Sequence, residues 1–491
     1  MNICRDLSKI VTNIKGLKSD SASPTDTWVL DIKETQINYT NTKVNTAFAK
    51  IFVSPDSLRR YIKDTRERYL EQLLIPLDAL NYEIKVYEEI RDQLIVPKVS
   101  PCFVLMYGQG KNCSYDDMIR LLNANSPPIP REHFNRNILY TLENKSGRPS
   151  INSSAGAIYN NNVTRLDYNI IVSESLGGTK KFYEWFDKQN DTKDLWKVIF
   201  QVAIACYAMY CTRIAHNDLH SGNIFIADLG KEEMFIYRIN GVDFVIKSRY
   251  FPKLYDFDRA YKIGNINYIN EGQFCQTYSQ CNQLVEQRDF VKIMCYVVND
   301  LGGRVKTKII NAIAPTIDAQ RILDATYNIQ ERGRKGCFLQ TVERGKLVQL
   351  PDKEYKKFNP LPIIIQNIFS YIGETFTLED IRRDLQIQNI YSCNIGFFDA
   401  NGKLNKARNK KEIENIISDI KSKLKSPIVK VPVKSPRKSP TRRRISPRKR
   451  RSPSKMSVVT KSRSNPRTRK SRSRRNRLKT PVKKDNNCNI M

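Results

Sequence analysis

From Ile10 to Val53 the chain sets short apolar runs between turn-forming stretches: Ile10-Val11, Trp28-Val29-Leu30-Asp31-Ile32 and Ala47-Phe48-Ala49-Lys50-Ile51-Phe52-Val53. Three such runs in succession predict an antiparallel meander. The period then lengthens. Leu80, Ile84, Tyr87 and Ile90 recur at helical spacing and give one apolar face to a predicted helix over residues 80–90. Residues 103–107 read as the next strand, and 108–165, polar, Asn-rich and broken by Pro127, Pro128 and Pro130, as a long, partly mobile insertion. Strand character returns over 168–172. Val198, Val202, Ala205, Met209 and Ile214 then follow a near-helical repeat. Beyond it, 223–227, 234–237 and 242–246 read as strands, the last two flanking Asn240-Gly241, a strong hairpin signal. Phe290, Ile293, Met294, Val297 and Val298 predict a further helix, as does the stretch 363–372 after Pro360 and Pro362.

Charge separates the chain into two objects. Residues 421–491 carry 27 of the 83 Lys and Arg against one acid, Asp485, whereas the preceding 420 residues hold 56 basic and 49 acidic side chains. The body is nearly balanced and the tail is polycationic. Ser-Pro steps at Ser426, Ser435, Ser439, Ser446 and Ser452 lead into a Ser-Arg run through Arg475. With so little apolar surface to offset the entropy of ordering, the expectation for 425–491 is disorder. Its Ser-Pro-basic repeats resemble histone tails, which implies nucleic-acid binding through phosphates, with little sequence preference and strong salt sensitivity. A tail serving only nuclear localisation is the alternative.

Eleven cysteines are scattered singly with no C-x-x-C pair, and three His occur in all. Neither a disulfide framework nor a structural zinc site is expected, and a reducing intracellular compartment is. No apolar run approaches the roughly 20 residues of a membrane span, so no membrane is expected.

Two of the three His, His216 and His220, fall within His216-Asn217-Asp218-Leu219-His220-Ser221-Gly222-Asn223. An Asp and an Asn five positions apart, between a helix and a strand, suit phosphoryl transfer: Asp218 to orient an attacking hydroxyl, Asn223 to hold magnesium on phosphates. The segment resembles the catalytic loop of the protein-kinase-like fold. It is most similar to variants with His where ordinary protein kinases carry Lys, namely haspin-type kinases and aminoglycoside or choline phosphotransferases.

Other matches come in the same order along the chain. The run ending in Lys50 resembles the third strand of that fold, which would set Lys50 on the α and β phosphates of ATP. Glu83 on the next helix is its expected partner, with Glu88 and Glu89 as alternatives. Glu174, Ser175 and Leu176 resemble the hinge that takes the adenine edge through backbone groups. Asp256-Phe257-Asp258 stands where the family has Asp-Phe-Gly, making Asp256 a magnesium ligand beside Asn223. His216 is expected to be a packed structural His. Asp289 resembles the acid that ties the catalytic loop from below, and an Asp favoured by a helix N-terminus is the other reading. One departure stands out: Gly16–Pro24 holds small Ser and Ala but no G-x-G-x-x-G.

The resemblance implies an α+β, two-lobed protein-kinase-like fold. The small lobe would span 1–175 with its insertion at about 108–165, the larger lobe 176–375, an extension of the folded body 376–424, and the disordered basic tail 425–491. Together the motifs look most similar to serine/threonine-protein kinases of large DNA viruses, of the iridovirus and poxvirus kind. That implies ATP and Mg²⁺ as cofactors, a Ser/Thr hydroxyl of a protein as acceptor, nucleic acid on the tail, and a place in the host nucleus or cytoplasm and in the virion. A small-molecule kinase and a catalytically inactive nucleic-acid-binding scaffold are the rival readings.

Overall fold

The computed structural model describes residues 4, 11–16, 25–35, 44–66, 68–123, 163–176, 179–189, 192–271, 275, 281–300, 303–323, 340–343, 346–350, 352–373 and 390–425. The Ser/Ala stretch after Gly16, most of the expected insertion and the basic tail from 426 lie outside the described residues.

Alternating apolar residues build the first sheet. β1 (Val11–Gly16), β2 (Asp26–Thr35), β3 (Val44–Val53), β4 (Met106–Cys113) and β5 (Tyr168–Glu174) pair antiparallel in the order β1-β2-β3-β5-β4. In β3 the residues Ala47, Ala49 and Ile51 are fully buried, so the register that buries them turns Phe48 and Lys50 to the other face. α1 (Pro55–Thr65) follows at once, started by Pro55 and the Ser54 hydroxyl, which accepts from Ser57 N–H, and stopped at Arg66 in the left-handed region (φ 62°). α2 (Leu74–Ile90) extends the predicted helix by six residues towards its N-terminus and packs Leu77, Leu80, Ile84, Tyr87 and Ile90 into the core.

The expected insertion begins later than its polarity suggests. Gly108 to Cys113 belong to β4, and α3 (Tyr115–Asn123) follows, burying Met118, Ile119, Leu121 and Leu122. Residues 103–107 are correspondingly a strand only from Met106; Phe103 bridges to Leu254 instead.

Beyond β6 (Lys180–Lys181) and the short α4 (Phe182–Phe186), α5 (Lys193–Cys211) starts on Thr192, whose hydroxyl accepts from Leu195 N–H at 3.2 Å. By length and composition α5 could cross a membrane, which the sequence reading did not anticipate. It is instead buried along most of its length, with Trp196 against Tyr371 and Phe200 against Phe369. β7 (Ile214–Ala215) carries the chain out of it.

β8 (Ile224–Ile239) and β9 (Val242–Leu254) then form one long hairpin around Asn240-Gly241, both at positive φ. The three strands read from sequence on this stretch are parts of these two, with a register shift between Asp228 and Glu233 where the apolar pattern breaks. β10 (Tyr261–Lys262) pairs with β7. The chain continues through α6 (Arg288–Asp300), α7 (Gly303–Ile313), the hairpin β11 (Gln340–Glu343) and β12 (Lys346–Gln349), α8 (Asp352–Tyr355) and α9 (Leu361–Ile372). β13 (Ile390–Ile395) lies parallel to the outer half of β8, the one parallel pair among the described strands. α10 (Lys406–Lys425) covers that half, setting Ile413, Ile416 and Ile420 on Met234 and Ile236. The extension is thus a structural part of the hairpin. Arg238 fastens the two, gripping Asp243 and reaching Glu412 at 2.6 Å.

Two disulfides overturn the expectation of none: Cys4–Cys113, 109 residues apart in sequence, and Cys275–Cys281. Sequence spacing could not show the first, because only the fold brings the N-terminal segment to β4.

Ile416→Ala would remove the centre of the apolar seam beneath α10. A loss of about 2–4 kcal/mol is expected, measured as a lower urea midpoint with unchanged slope.

Candidate active site

The site grows from one buried acid. Glu83 on α2 is 1% exposed, and a carboxylate there requires charged and hydrogen-bonded partners. Lys50 of β3 donates to it at 2.7 Å, and the N–H of Phe257 donates to its other oxygen at 3.2 Å. Lys50 also reaches Asp256 Oδ1 at 3.2 Å. Burial pulls the Lys50 amine down, but Glu83, then Asp256 and Asp258, outweigh it and hold the amine protonated well above its ordinary range. Burial lifts the Glu83 carboxyl against the opposing pull of Lys50. The alternative partners are accounted for: Glu89 binds Lys262 at 2.7 Å and Glu88 accepts from Gln109.

The same helix sets the backbone of 256–265. Tyr87 Oη accepts from Asp256 N–H at 3.2 Å, and its ring meets Phe257 edge-on at 5.1 Å. Tyr82 Oη accepts from Lys262 N–H and donates to Asn265 O. Asp256 is held at φ 67°, a left-handed conformation that costs a non-glycine residue energy and that these contacts sustain.

His216 is the packed residue the sequence suggested. Its Nε2 lies 3.0 Å from the Tyr255 carbonyl, which can only accept, so the ring proton sits on Nε2. The ring also packs against Phe257, tilted, with centroids 4.8 Å apart. Asp289, at the start of α6, accepts from His216 N–H at 2.6 Å and Asn217 N–H at 2.9 Å, and so ties the loop from below. Asn217 itself, at φ 63°, spans from Arg259 O to Cys281 O with its amide.

Within the loop Asn223 Nδ2 donates to Asp218 O at 3.0 Å, which turns its Oδ1 away from that carbonyl. The next tie is backbone: Tyr255 N–H donates to Asn223 O at 3.2 Å, one residue before Asp256. Gly222 is needed because a Cβ there would lie 2.7 Å from His220 Cε1. His220 Nδ1 accepts from Gly222 N–H, so a neutral ring carries its proton on Nε2. Burial, against the pull of Asp218, holds that imidazole below its ordinary value.

Burial works to raise Asp218, but Lys292, His220, Arg259 and His216 outweigh it and hold the carboxyl at about 2. Burial and then Asp256 push Asp258 up to about 6. Among the described residues no group of three or more His, Cys, Asp and Glu is arranged to hold a metal. Asp256 and Asn223, bridged by the Tyr255 to Asn223 bond and with Asp258 two residues on, still offer the oxygen donors that fit Mg²⁺, which keeps most of its shell as water and phosphate.

The hinge residues stand at the end of β5. Glu174 is buried, and its side chain binds Lys253 of β9 at 2.8 Å and accepts from Leu105 N–H at 3.0 Å. Its own N–H donates to Leu105 O. Its side chain is a strut between the end of β5 and the strand leading to Asp256. Ser175 and Leu176 follow half-buried, and Leu176 O accepts from Thr179 N–H. The contacts that Lys253, Tyr87, Asn217 and Lys292 make around the site are not legible in the sequence. The one available signal was Asp289-x-x-Lys292, a spacing that puts both side chains on one helix face.

No family model and no curated protein matches the chain. Among solved structures it is similar to the crystal structure of the PF14_0431 kinase domain, with a TM-score of 0.30 and 12% identity, covering 82% of this chain and 93% of that one. A likeness of that looseness carries no argument, and the functional reading rests on the site itself.

With Asp218 lower in the folded state than its ordinary 3.8, its stabilisation is present above about pH 4 and lost as the pH falls through about 2. Across that window wild type should lose about 2 kcal/mol more than Asp218→Asn, read as the difference between their urea midpoints against pH.

Proposed function

We propose that the chain is an ATP- and Mg²⁺-dependent phosphotransferase with a two-lobed kinase-like fold, acting on Ser or Thr hydroxyls of proteins. The observation that carries this is convergence. Lys50 and Glu83, Asp256, and the loop with Asp218 and Asn223 come from segments far apart in sequence, and they are linked by contacts of 2.7–3.2 Å.

ATP would lie against Lys50, with its adenine at Glu174 to Leu176. Asp256 and Asn223 would hold magnesium, which when bound neutralises charge on the phosphates. Asp218, ionised throughout the physiological range, accepts a hydrogen bond from the acceptor hydroxyl and aligns it for in-line attack. So weak a base orients the hydroxyl; it does not remove its proton early. His220, neutral, offers one N–H towards the transferred group where a Lys would offer a full charge.

His220 also favours a second reading, a kinase of small alcohols. The polycationic tail favours a macromolecular acceptor, and we propose that it holds nucleic acid, in keeping with an origin in a large DNA virus.

Phosphate transfer from γ-labelled ATP to a basic protein, run against a panel of small alcohols, separates these readings. Asp218→Ala should lower transfer at least about 10³-fold with an unchanged circular dichroism spectrum, and unaltered turnover would refute the assignment. Deleting 426–491 should abolish the salt-dependent part of nucleic-acid binding, measured as the slope of log affinity against log salt.

A further inference from the structure

A buried lysine stands beneath the loop that carries Asp218. Lys292 lies one turn after Asp289 on α6 and is only 2% exposed. Its Nζ donates to Asn217 O at 2.6 Å and stands 3.5 Å from Asp218 Oδ1. The two helix residues therefore hold the loop by opposite charges. Asp289 takes the N–H groups of His216 and Asn217, while Lys292 takes the carbonyl of Asn217 and faces the next carboxylate.

Burying an ammonium is expensive, and an apolar side chain on α6 would fill the same space at less cost. Asp289 fixes the N–H groups of the loop backbone, and an uncharged donor on α6 could take the Asn217 carbonyl. What Lys292 adds is a positive charge on the Asp218 carboxylate, approached from the buried side, since Asp218 keeps 18% of its side chain exposed. His220 and Arg259 face the same carboxylate less strongly than Lys292, and the His220 ring, buried and engaged through Nδ1 with Gly222, is held below its ordinary value.

We infer that Lys292 is a positioning residue for phosphoryl transfer: its ammonium fixes the Asp218 carboxylate towards the acceptor hydroxyl and provides, from the helix beneath, the cation that His220 does not. The inference rests on the phosphotransferase reading. It makes the orientation of Asp218 depend on a pair of charges rather than on loop packing. It also predicts that the charge can be relocated, because a Lys at 220 would approach the same carboxylate from the loop.

The test compares full-length wild type, Lys292→Met, Lys292→Gln and the double variant Lys292→Met/His220→Lys by steady-state kinetics and thermal melting. Lys292→Met should lower kcat about 10- to 100-fold with KM for ATP within about twofold, and the double variant should recover at least about tenfold of that loss. Lys292→Gln keeps a donor without the charge; it should be as slow as Lys292→Met and stands in for it if the latter does not fold. An unchanged kcat in a folded Lys292 variant overturns the inference and leaves the phosphotransferase reading intact. So does a loss that accompanies a lower melting temperature and is not recovered by His220→Lys, which makes the residue structural. Absence of transfer by wild type to every acceptor overturns the reading and the inference together.

Discussion

An acid with almost no access to water organises this molecule. Glu83 can stay in the core only while Lys50 and the N–H of Phe257 remain against it, and each of those belongs to a different piece of chain. Satisfying one carboxylate thus fixes the third strand of the first sheet, the helix beside it and the segment that follows the long hairpin. Tyr87 and Tyr82, on the same helix, hold the backbone of that segment, and Lys262 returns to Glu89. The helix is fastened to the site along its whole inner face, so displacing it would expose several buried polar groups at once.

The loop that carries Asp218 is governed by the same rule with the charges reversed. Asp289 and Lys292 bring an anion and a cation from one helix to a loop whose backbone is bent at Asn217 and closed at Gly222. Asn217, with its two carbonyl partners, ties this loop to Arg259 and to Cys281. The chemical groups are therefore set by buried hydrogen bonds more than by apolar packing.

The residues whose chemistry shows in their type and spacing were legible in the sequence: Asp218 and Asn223 in one loop, Lys50 within an apolar strand, Glu83 on an apolar helix face. The antiparallel meander, the hairpin at Asn240-Gly241 and the main helices were legible as well, because their periods are set by burial. Others were not. Lys253 and Lys292 read as ordinary polar positions, since nothing local says that a lysine is inside the protein. Cys4 and Cys113 are paired only by the fold. Gly108 to Cys113 looked like loop because a strand rich in Gly, Gln and Asn carries no apolar alternation, and its place in the sheet comes from β5.

The parallel alignment of β13 with the outer half of β8 bears on how the chain is made. The partners Met234 and Ile390 are separated by a large part of the polypeptide, so during synthesis the edge of β8 that β13 will occupy waits unpaired and Met234 and Ile236 wait uncovered. Closure comes only when the strand and helix over 390–425 leave the ribosome. The long hairpin is thus a late-maturing element with high contact order, and its interval of exposure is where a chaperone would be needed and where a truncated product would aggregate.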